Sequence, residues 1–483
     1  MKKNLLFALM LLVTAGAFAE DVEINGLWYK LVPETQEAQV IQYKNYKFYK
    51  GDYEIPNAVV WDNVSYRVTS IGYRAFSNCE QLTSVIVPSS VTSMGENAFQ
   101  SCPALVSVTL GSVTRIGNSA FSGCSSLTDV TIPSSVTRID KWAFQRCSSL
   151  TSVTIPSSVT TIEFAAFQGC SSLTAINVEE GNQDYVSDNG VLYNKDMTTL
   201  IQYPSCKSGN SYTVPNSVTC IGGYAFQNCS DLFTIQIPNS VEEIEDYVFQ
   251  NCINLTEIEL PDGLKRLWVY VFSGCSSLTA ITIPNSVVSI DGNAFAGCSN
   301  LTTVTIGSGV ESILAQAFAN CPMLTNVYCY AEGIYTIAYD AFKGSNVENA
   351  TLRVPEAVLE TYKTTEPWNA FAQIKSLESM GERCATPTIA LVNGKLVFDC
   401  ETEGVEFVCR ITPPEAVELK GNNLSMPSTY TVTVYAKKEG CENSAPVTRK
   451  MKIGGVTGDV NGDGVVDISD YVGVANIILT GKP

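Results

Sequence analysis

Near the carboxy terminus, six residues have the types and spacing to hold a hard cation. The run Asp459-Val460-Asn461-Gly462-Asp463-Gly464-Val465-Val466-Asp467-Ile468-Ser469-Asp470 places side-chain oxygens at its first, third, fifth, ninth and twelfth positions. Val465 supplies a backbone carbonyl at the seventh, and Gly464 permits the sharp turn at the sixth. Calcium needs this arrangement of oxygen donors from one tight loop. Asp459, Asn461, Asp463, Val465, Asp467 and Asp470 are therefore the expected calcium ligands. The following Tyr471–Leu479 run is apolar enough for one helix, and no helical pattern precedes the loop.

Elsewhere the chemistry is defined mainly by what is missing. The chain has no histidine, which removes the usual general base, the commonest zinc ligand and every Ser-His or Cys-His nucleophile pair. It also has neither a Gly-x-Ser-x-Gly elbow nor a phosphate loop. A carboxylate-dependent hydrolase would need an inward-facing acidic pair in a pocket, and the sequence displays none. No catalytic residue is expected. A net charge of −18 repels polyphosphate, so nucleic acid is not an expected partner.

A second candidate site is aromatic. Tyr224, Tyr247 and Tyr270 recur 23 residues apart, each just before an Ala-Phe or Val-Phe pair, and Trp142 stands at the same phase. Aromatic side chains in such a row bind sugar rings or anchor protein partners; stacked rings also stabilise repeats without binding anything.

The elements that would carry this row are legible in the same period. Phenylalanine followed three residues later by cysteine occurs at Phe76/Cys79, Phe99/Cys102, Phe121/Cys124, Phe144/Cys147 and Phe167/Cys170. It resumes at Phe226/Cys229, Phe249/Cys252, Phe272/Cys275, Phe295/Cys298 and Phe318/Cys321. Self-similarity at this period means a solenoid whose units bury their apolar faces only by stacking. In Leu150-Thr-Ser-Val153-Thr-Ile155-Pro156, apolar residues alternate with small polar ones, the signature of a strand with one buried face. Pro156 stops that strand, and Val159 with Ile162 begins a second inward-facing side. The strand's outward positions are hydroxyl-rich, as at Ser152/Thr154 and Thr303/Thr305, with an acidic spot at Glu257/Glu259. One cysteine per coil reads as a ladder of small apolar wedges, mostly reduced.

The unit Leu-Thr-x-Val-Thr-Ile-Pro-x-Ser-Val-Thr-x-Ile-x-x-x-Ala-Phe-x-x-Cys resembles the BspA-like leucine-rich repeats of bacterial surface proteins over roughly residues 67 to 355. The resemblance implies a leucine-rich repeat solenoid, mainly β with short turns and helical segments, and a role in adhesion. The stretch Asp188–Tyr193 to Tyr203-Pro204, inside the gap between Phe167 and Phe226, looks like a variant, enlarged coil of that family. The carboxy-terminal loop and its helix resemble half of a type I dockerin, with aspartate in place of glutamate at the twelfth position. Dockerins normally carry two such loops, and this chain has one. The implied partner of that module is cohesin-like.

Five segments follow. Met1-Lys2-Lys3, the apolar run Leu5–Val13 and Ala17-Phe18-Ala19 read as a secretory signal peptide over 1–19. Residues 20–66 read as a β cap, with strands at Leu27–Leu31, Ala38–Ile41 and Trp61–Val68. Residues 67–380 form the solenoid and its closing segment, where Tyr362, Trp368, Phe371 and Ile374 cluster. Residues 381–453 look like a fibronectin type III or immunoglobulin-like β-sandwich, and 454–483 are the calcium module. Cys384, Cys400, Cys409 and Cys441 allow three pairings that sequence does not decide. No later stretch approaches the roughly 20 apolar residues of a membrane span. The expected protein is secreted or at the cell surface and noncatalytic. It would recognise an extracellular protein or glycan through its solenoid or, alternatively, dock into an extracellular assembly through the calcium module.

Overall fold

The computed structural model describes residues 20–43, residues 48–377 and, between 387 and 451, seven strands with a few adjoining residues. It divides into two units, Met1–Lys375 and Ser376–Pro483. The first is a mainly-β solenoid of about 13 turns.

Each turn follows from its residue pattern. In Ser152–Ile155 the valine and isoleucine are buried while the serine and threonine face solvent. The strand pairs in parallel with Ala175–Val178, one coil on. Pro156 ends it, and its carbonyl accepts the Val159 N–H at 3.2 Å, closing the corner. A two-residue strand follows, and these short strands form their own parallel ladders, as in Ser289–Ile290, Ser312–Ile313 and Thr336–Ile337.

The third side of the coil carries the phenylalanine. Phe76, Phe99, Phe121, Phe144 and Phe167 stack at 4.9 to 5.6 Å with nearly parallel rings. Phe249 is wholly buried between Phe226 at 5.3 Å and Phe272 at 5.2 Å. The ends of this stack are closed by other aromatics. Tyr49 lies 4.8 Å from Phe76 and donates its hydroxyl to the Ile41 carbonyl. At the far end Trp368 and Phe371 cover Phe342 at 5.4 and 5.3 Å. Without such lids, an end coil would expose apolar faces.

The cysteines are more than wedges. Cys102, Cys124, Cys147, Cys252, Cys275 and Cys298 are buried free thiols. Each donates to the carbonyl of the phenylalanine one coil back, at 2.9 to 3.2 Å. Ser345 replaces cysteine in the last such coil, and its hydroxyl makes the same bond to Phe318 at 2.5 Å. The position therefore requires a small donor. Burial pushes the Cys170 and Cys252 thiols up to about 12, which keeps them protonated as that role requires.

Two local readings change. Trp61–Val68 is not one strand: Asp62 and Asn63 take left-handed φ of 47° and 61° and fold the chain into a hairpin between Ala58–Trp61 and Val64–Ile71. Parallel coil pairing also begins early, since Lys50–Glu54 already pairs with Gln81–Val87.

The enlarged coil interrupts the core. Tyr185–Asp188, Val191–Asn194 and Thr199–Gln202 form an antiparallel excursion, and the last of these then pairs in parallel with Cys220–Ile221. Tyr203 takes the place of phenylalanine, stacking on Phe226 at 5.0 Å. The buried residues separate here into two clusters, one ending near Ile176 and Leu192 and the other beginning at Val191 and Tyr193.

In the second unit, Thr388–Val392 pairs antiparallel with Lys395–Asp399, and Tyr430–Lys437 pairs antiparallel with both Glu406–Thr412 and Val447–Met451. Cysteine pairing there rests on residues outside those described. Among the described residues no helix is long and apolar enough to cross a membrane.

Candidate recognition surface

As a coil leaves its short second strand, the residue before the Ala-Phe or Val-Phe pair takes a left-handed backbone conformation from Arg74 to Gln316, though not at Asp340. Its φ is 57° at Asn97, 51° at Ser119, 56° at Trp142, 63° at Tyr224, 61° at Tyr247, 57° at Tyr270 and 58° at Asn293. Asparagine suits this region and bulky residues are uncommon in it. The conformation is imposed by the coil: the Tyr224, Tyr247 and Tyr270 amides donate to Asp246, Val269 and Gly292 of the next coil at 3.1, 3.1 and 3.2 Å. The row accepts polar, small and aromatic side chains alike, so three consecutive tyrosines are a property of this surface and not a requirement of the fold.

The tyrosine rings stack at 4.7 Å and 4.9 Å, within 9° of parallel. They are half-buried, and their hydroxyls have no hydrogen-bond partner among the described residues. Stacking covers the ring faces and turns the ring edges outward. The first face of the row is also taken. Phe164 meets Tyr224 edge-on at 5.1 Å across the enlarged coil, which contributes no residue to the row. Gly223 permits that approach, since a Cβ there would lie 2.5 Å from the Phe164 ring. Burial, with Tyr247 and Asp246 nearby, pushes the Tyr224 phenol up to about 12. Trp142 is 39% exposed but is separated from Tyr224 by Ala165 and the enlarged coil.

Beside the row runs a ladder of charges. Acids just after the short strands meet arginines one coil back: Arg115 with Asp140, Arg138 with Glu163, and Arg266 with Asp291 at 2.7 Å. Asp140 and Asp291 are fully buried, so these arginines neutralise carboxylates removed from water. Glu245 occupies the same phase, but Cys220 stands where the arginine would be, its sulfur 4.0 Å from the carboxylate. Glu245 accepts instead from the Gly223 amide at 2.7 Å. Glu243 adds a further carboxylate, and the donor atoms of Cys220, Glu243 and Glu245 lie within 4.8 Å of one another. Burial raises the Glu245 and Asp246 carboxyls above their ordinary range, and neighbouring acids push the same way.

Residues 44–174, 201–325 and 242–378 match the BspA type leucine rich repeat region, in six copies. The chain belongs to this BspA-type family. Several solved structures resemble it. The pneumococcal vaccine antigen PcpA is 23% identical over 74% of this chain and 98% of its own, with a TM-score of 0.61, and shows the shared fold. A leucine-rich repeat protein of Eubacterium ventriosum is 26% identical over 66% and 93%, TM-score 0.52. A leucine rich cell surface protein of Faecalibacterium prausnitzii is 32% identical over 64% and 94%, TM-score 0.47. No curated protein matches the chain.

Within the BspA-type coil the structure thus brings Tyr224, Tyr247 and Tyr270 into one row and leaves Trp142 outside it. The candidate calcium ligands Asp459, Asn461, Asp463, Val465, Asp467 and Asp470 lie outside the described residues, as does the signal segment. Sequence reasoning missed Phe164, Cys220, Glu243, Glu245 and Asp246. A signal for the acids was available: aligning the repeats puts Cys220 and Glu243 in phase with Arg115, Arg138 and Arg266. No comparable signal existed for Phe164, whose partner Tyr224 lies beyond the enlarged coil.

Proposed function

We propose that this BspA-type protein is a noncatalytic binding protein of the cell exterior whose solenoid recognises another protein. One observation carries the reading: three half-buried tyrosines, stacked in a row with unpartnered hydroxyls, on a backbone that does not demand them. Edge-on tyrosines offer rigid apolar flanks and hydrogen-bonding tips, the combination favoured at protein interfaces. The leader pattern of residues 1–19 and the surface-protein character of the resembling repeats support the exterior setting. Neither the tyrosine row nor the charge ladder calls for a catalytic step.

The test is capture of extracellular proteins and of a glycan array by the full chain and by Tyr247→Ala. Protein capture that falls at least tenfold in the variant, with the fold retained, supports the proposal. Capture of glycans alone, or equal capture of proteins by both forms, overturns it.

A second role is carried by the donor spacing from Asp459 to Asp470. The donor set fits calcium: four carboxylates, one amide oxygen and one carbonyl, with glycine at the turn. Asp459, Asn461, Asp463, Val465, Asp467 and Asp470 would hold the ion, and the ordered segment would serve as a docking module for a cohesin-like partner. Calorimetric titration of the full chain with calcium tests this. Heat lost on Asp463→Ala supports it, and no calcium-dependent heat at millimolar calcium rejects it.

A further inference from the structure

The tyrosine row and the acidic cluster beside it form one surface. Asp246 precedes Tyr247 in the chain, its carbonyl accepts the Tyr224 amide at 3.1 Å, and its carboxylate accepts the Val269 amide at 3.2 Å. The Asp246 charge is felt at both Tyr224 and Tyr247. Glu243, Glu245 and Asp246 in turn act on one another. None of Glu242, Glu243, Glu245 and Asp246 forms a salt bridge among the described residues, whereas the acids at the Glu245 phase in three other coils each hold an arginine. Here the chain has put cysteine and glutamate at the arginine phase.

The adjoining coils show what such a surface binds. Arg266, at the phase of Glu243, lays its guanidinium 4.3 Å from the Trp268 ring centre while its Nε donates to Asp291 at 2.7 Å. Aromatic contact and carboxylate together hold one arginine of the protein itself. Along Tyr224, Tyr247 and Tyr270 the same ingredients stand together with no arginine paired to them; Arg266 lies near enough to Asp246 to act on its carboxylate, but its Nε is committed to Asp291. Phenol oxygens repeat along the row, carboxylates lie beside them, and the outer face of Tyr270 is followed only by Asn293. Guanidinium and ammonium groups are donors without acceptors, and they match ionised carboxylates, which only accept, and phenol oxygens, which can accept.

We propose that the surface formed by Tyr224, Tyr247 and Tyr270 with Glu243, Glu245 and Asp246 binds an arginine- or lysine-rich segment of a partner protein. The inference rests on the proposed function and names the chemistry of its partner. The segment crosses the coils along the tyrosine row, places its basic side chains on the carboxylates, and packs their methylene stems against the ring edges. Because the attraction is largely between exposed charges, affinity falls as salt rises.

The experiment uses the full chain and a fluorescein-labelled nona-arginine peptide, read by anisotropy at low and at physiological ionic strength. Saturable binding is expected, weakened at least tenfold by Tyr247→Ala and by the combined Glu243→Gln, Glu245→Gln and Asp246→Asn variant. An equal change of charge at exposed Glu23, Glu34 and Glu54, all to glutamine, is expected to alter binding by less than twofold. Equal loss in that control would assign binding to the general acidic field of the chain and overturn the proposal, as would no binding at all. Zinc or calcium binding abolished by Glu243→Gln and Glu245→Gln, with the peptide unaffected, would make the cluster a metal site and also overturn it. Circular dichroism and the melting temperature of each variant exclude misfolding as the cause. If protein capture depends on Tyr247 but ignores the three acids, the proposed function stands and the basic partner falls.

Discussion

Two aromatic ladders run along the same coils at nearly the same spacing, one inside and one at the surface. Phe249 stacks at 5.3 and 5.2 Å and is wholly buried, whereas Tyr247 stacks at 4.7 and 4.9 Å and keeps an edge in solvent. The phenylalanine row runs through almost every coil; the tyrosine row occupies three. Spacing is thus a property of the parallel ladder, set at about 4.8 Å by strand hydrogen bonding. What distinguishes the rows is whether water is excluded. Inside, a missing ring leaves a void; the left-handed surface position is occupied by asparagine, serine or glutamine in other coils.

The sharpest way to break this contrast is to truncate one ring of each kind. Phe249→Ala should destabilise the solenoid by roughly 3 to 5 kcal/mol through the cavity it leaves. Hydrogen exchange should quicken first in the coils carrying Phe226 and Phe272, because coils contact only neighbours. Uniform acceleration along the solenoid would refute local coupling. By the same measure Tyr247→Ala loses two stacked contacts, roughly 1 to 3 kcal/mol at most by the value of aromatic pairs and less because the rings are half in water. A loss as large as that of Phe249→Ala would mean the surface row is structural after all.

The thiol row sharpens the comparison from the buried side. Cys275→Ala removes one of two donors to the Phe249 carbonyl, which keeps the Cys252 amide at 3.1 Å, and should cost about 1 kcal/mol for the lost hydrogen bond. Cys275→Ser should cost less, on the precedent of Ser345. Chemical denaturation of the two variants checks the order, and an alanine no worse than serine would show that volume alone matters there.

The smallest expected effect is at the surface acids. Burial raises the folded-state pKa of Glu245 above its ordinary value. The folded chain therefore holds that proton more tightly, so stability from this group is fully present below the unfolded pKa and is lost as pH rises through the folded one. At neutral pH the charged form is a liability, and Glu245→Gln should be neutral or stabilising. The advantage should vanish as pH falls below the raised value. Melting temperatures at several pH values decide it, and destabilisation by glutamine at neutral pH would show that the Gly223 contact outweighs burial.

Much of this was legible in the residues. Period-2 alternation and the Phe-x-x-Cys mark found the coil, its buried ring and its strand faces, because both arise from local burial. The tyrosine row followed from phase alone. Two things were hidden. That the rings lie face to face, and so present their edges, depends on the distance between coils and not on any one coil. The Phe164 contact with Tyr224 requires knowing that the enlarged coil skips the surface row. The strand expected at Trp61–Val68 failed because Asp62-Asn63 is a hairpin turn without the glycine that usually announces one.

The buried thiols also give each coil its own chemical witness. A cysteine that is protonated, enclosed and bonded to a carbonyl reacts with an alkylating reagent only when its coil opens. Since the thiols are spread one to a coil, a time course of alkylation mapped by mass spectrometry would follow opening coil by coil, in the native chain and without introduced labels.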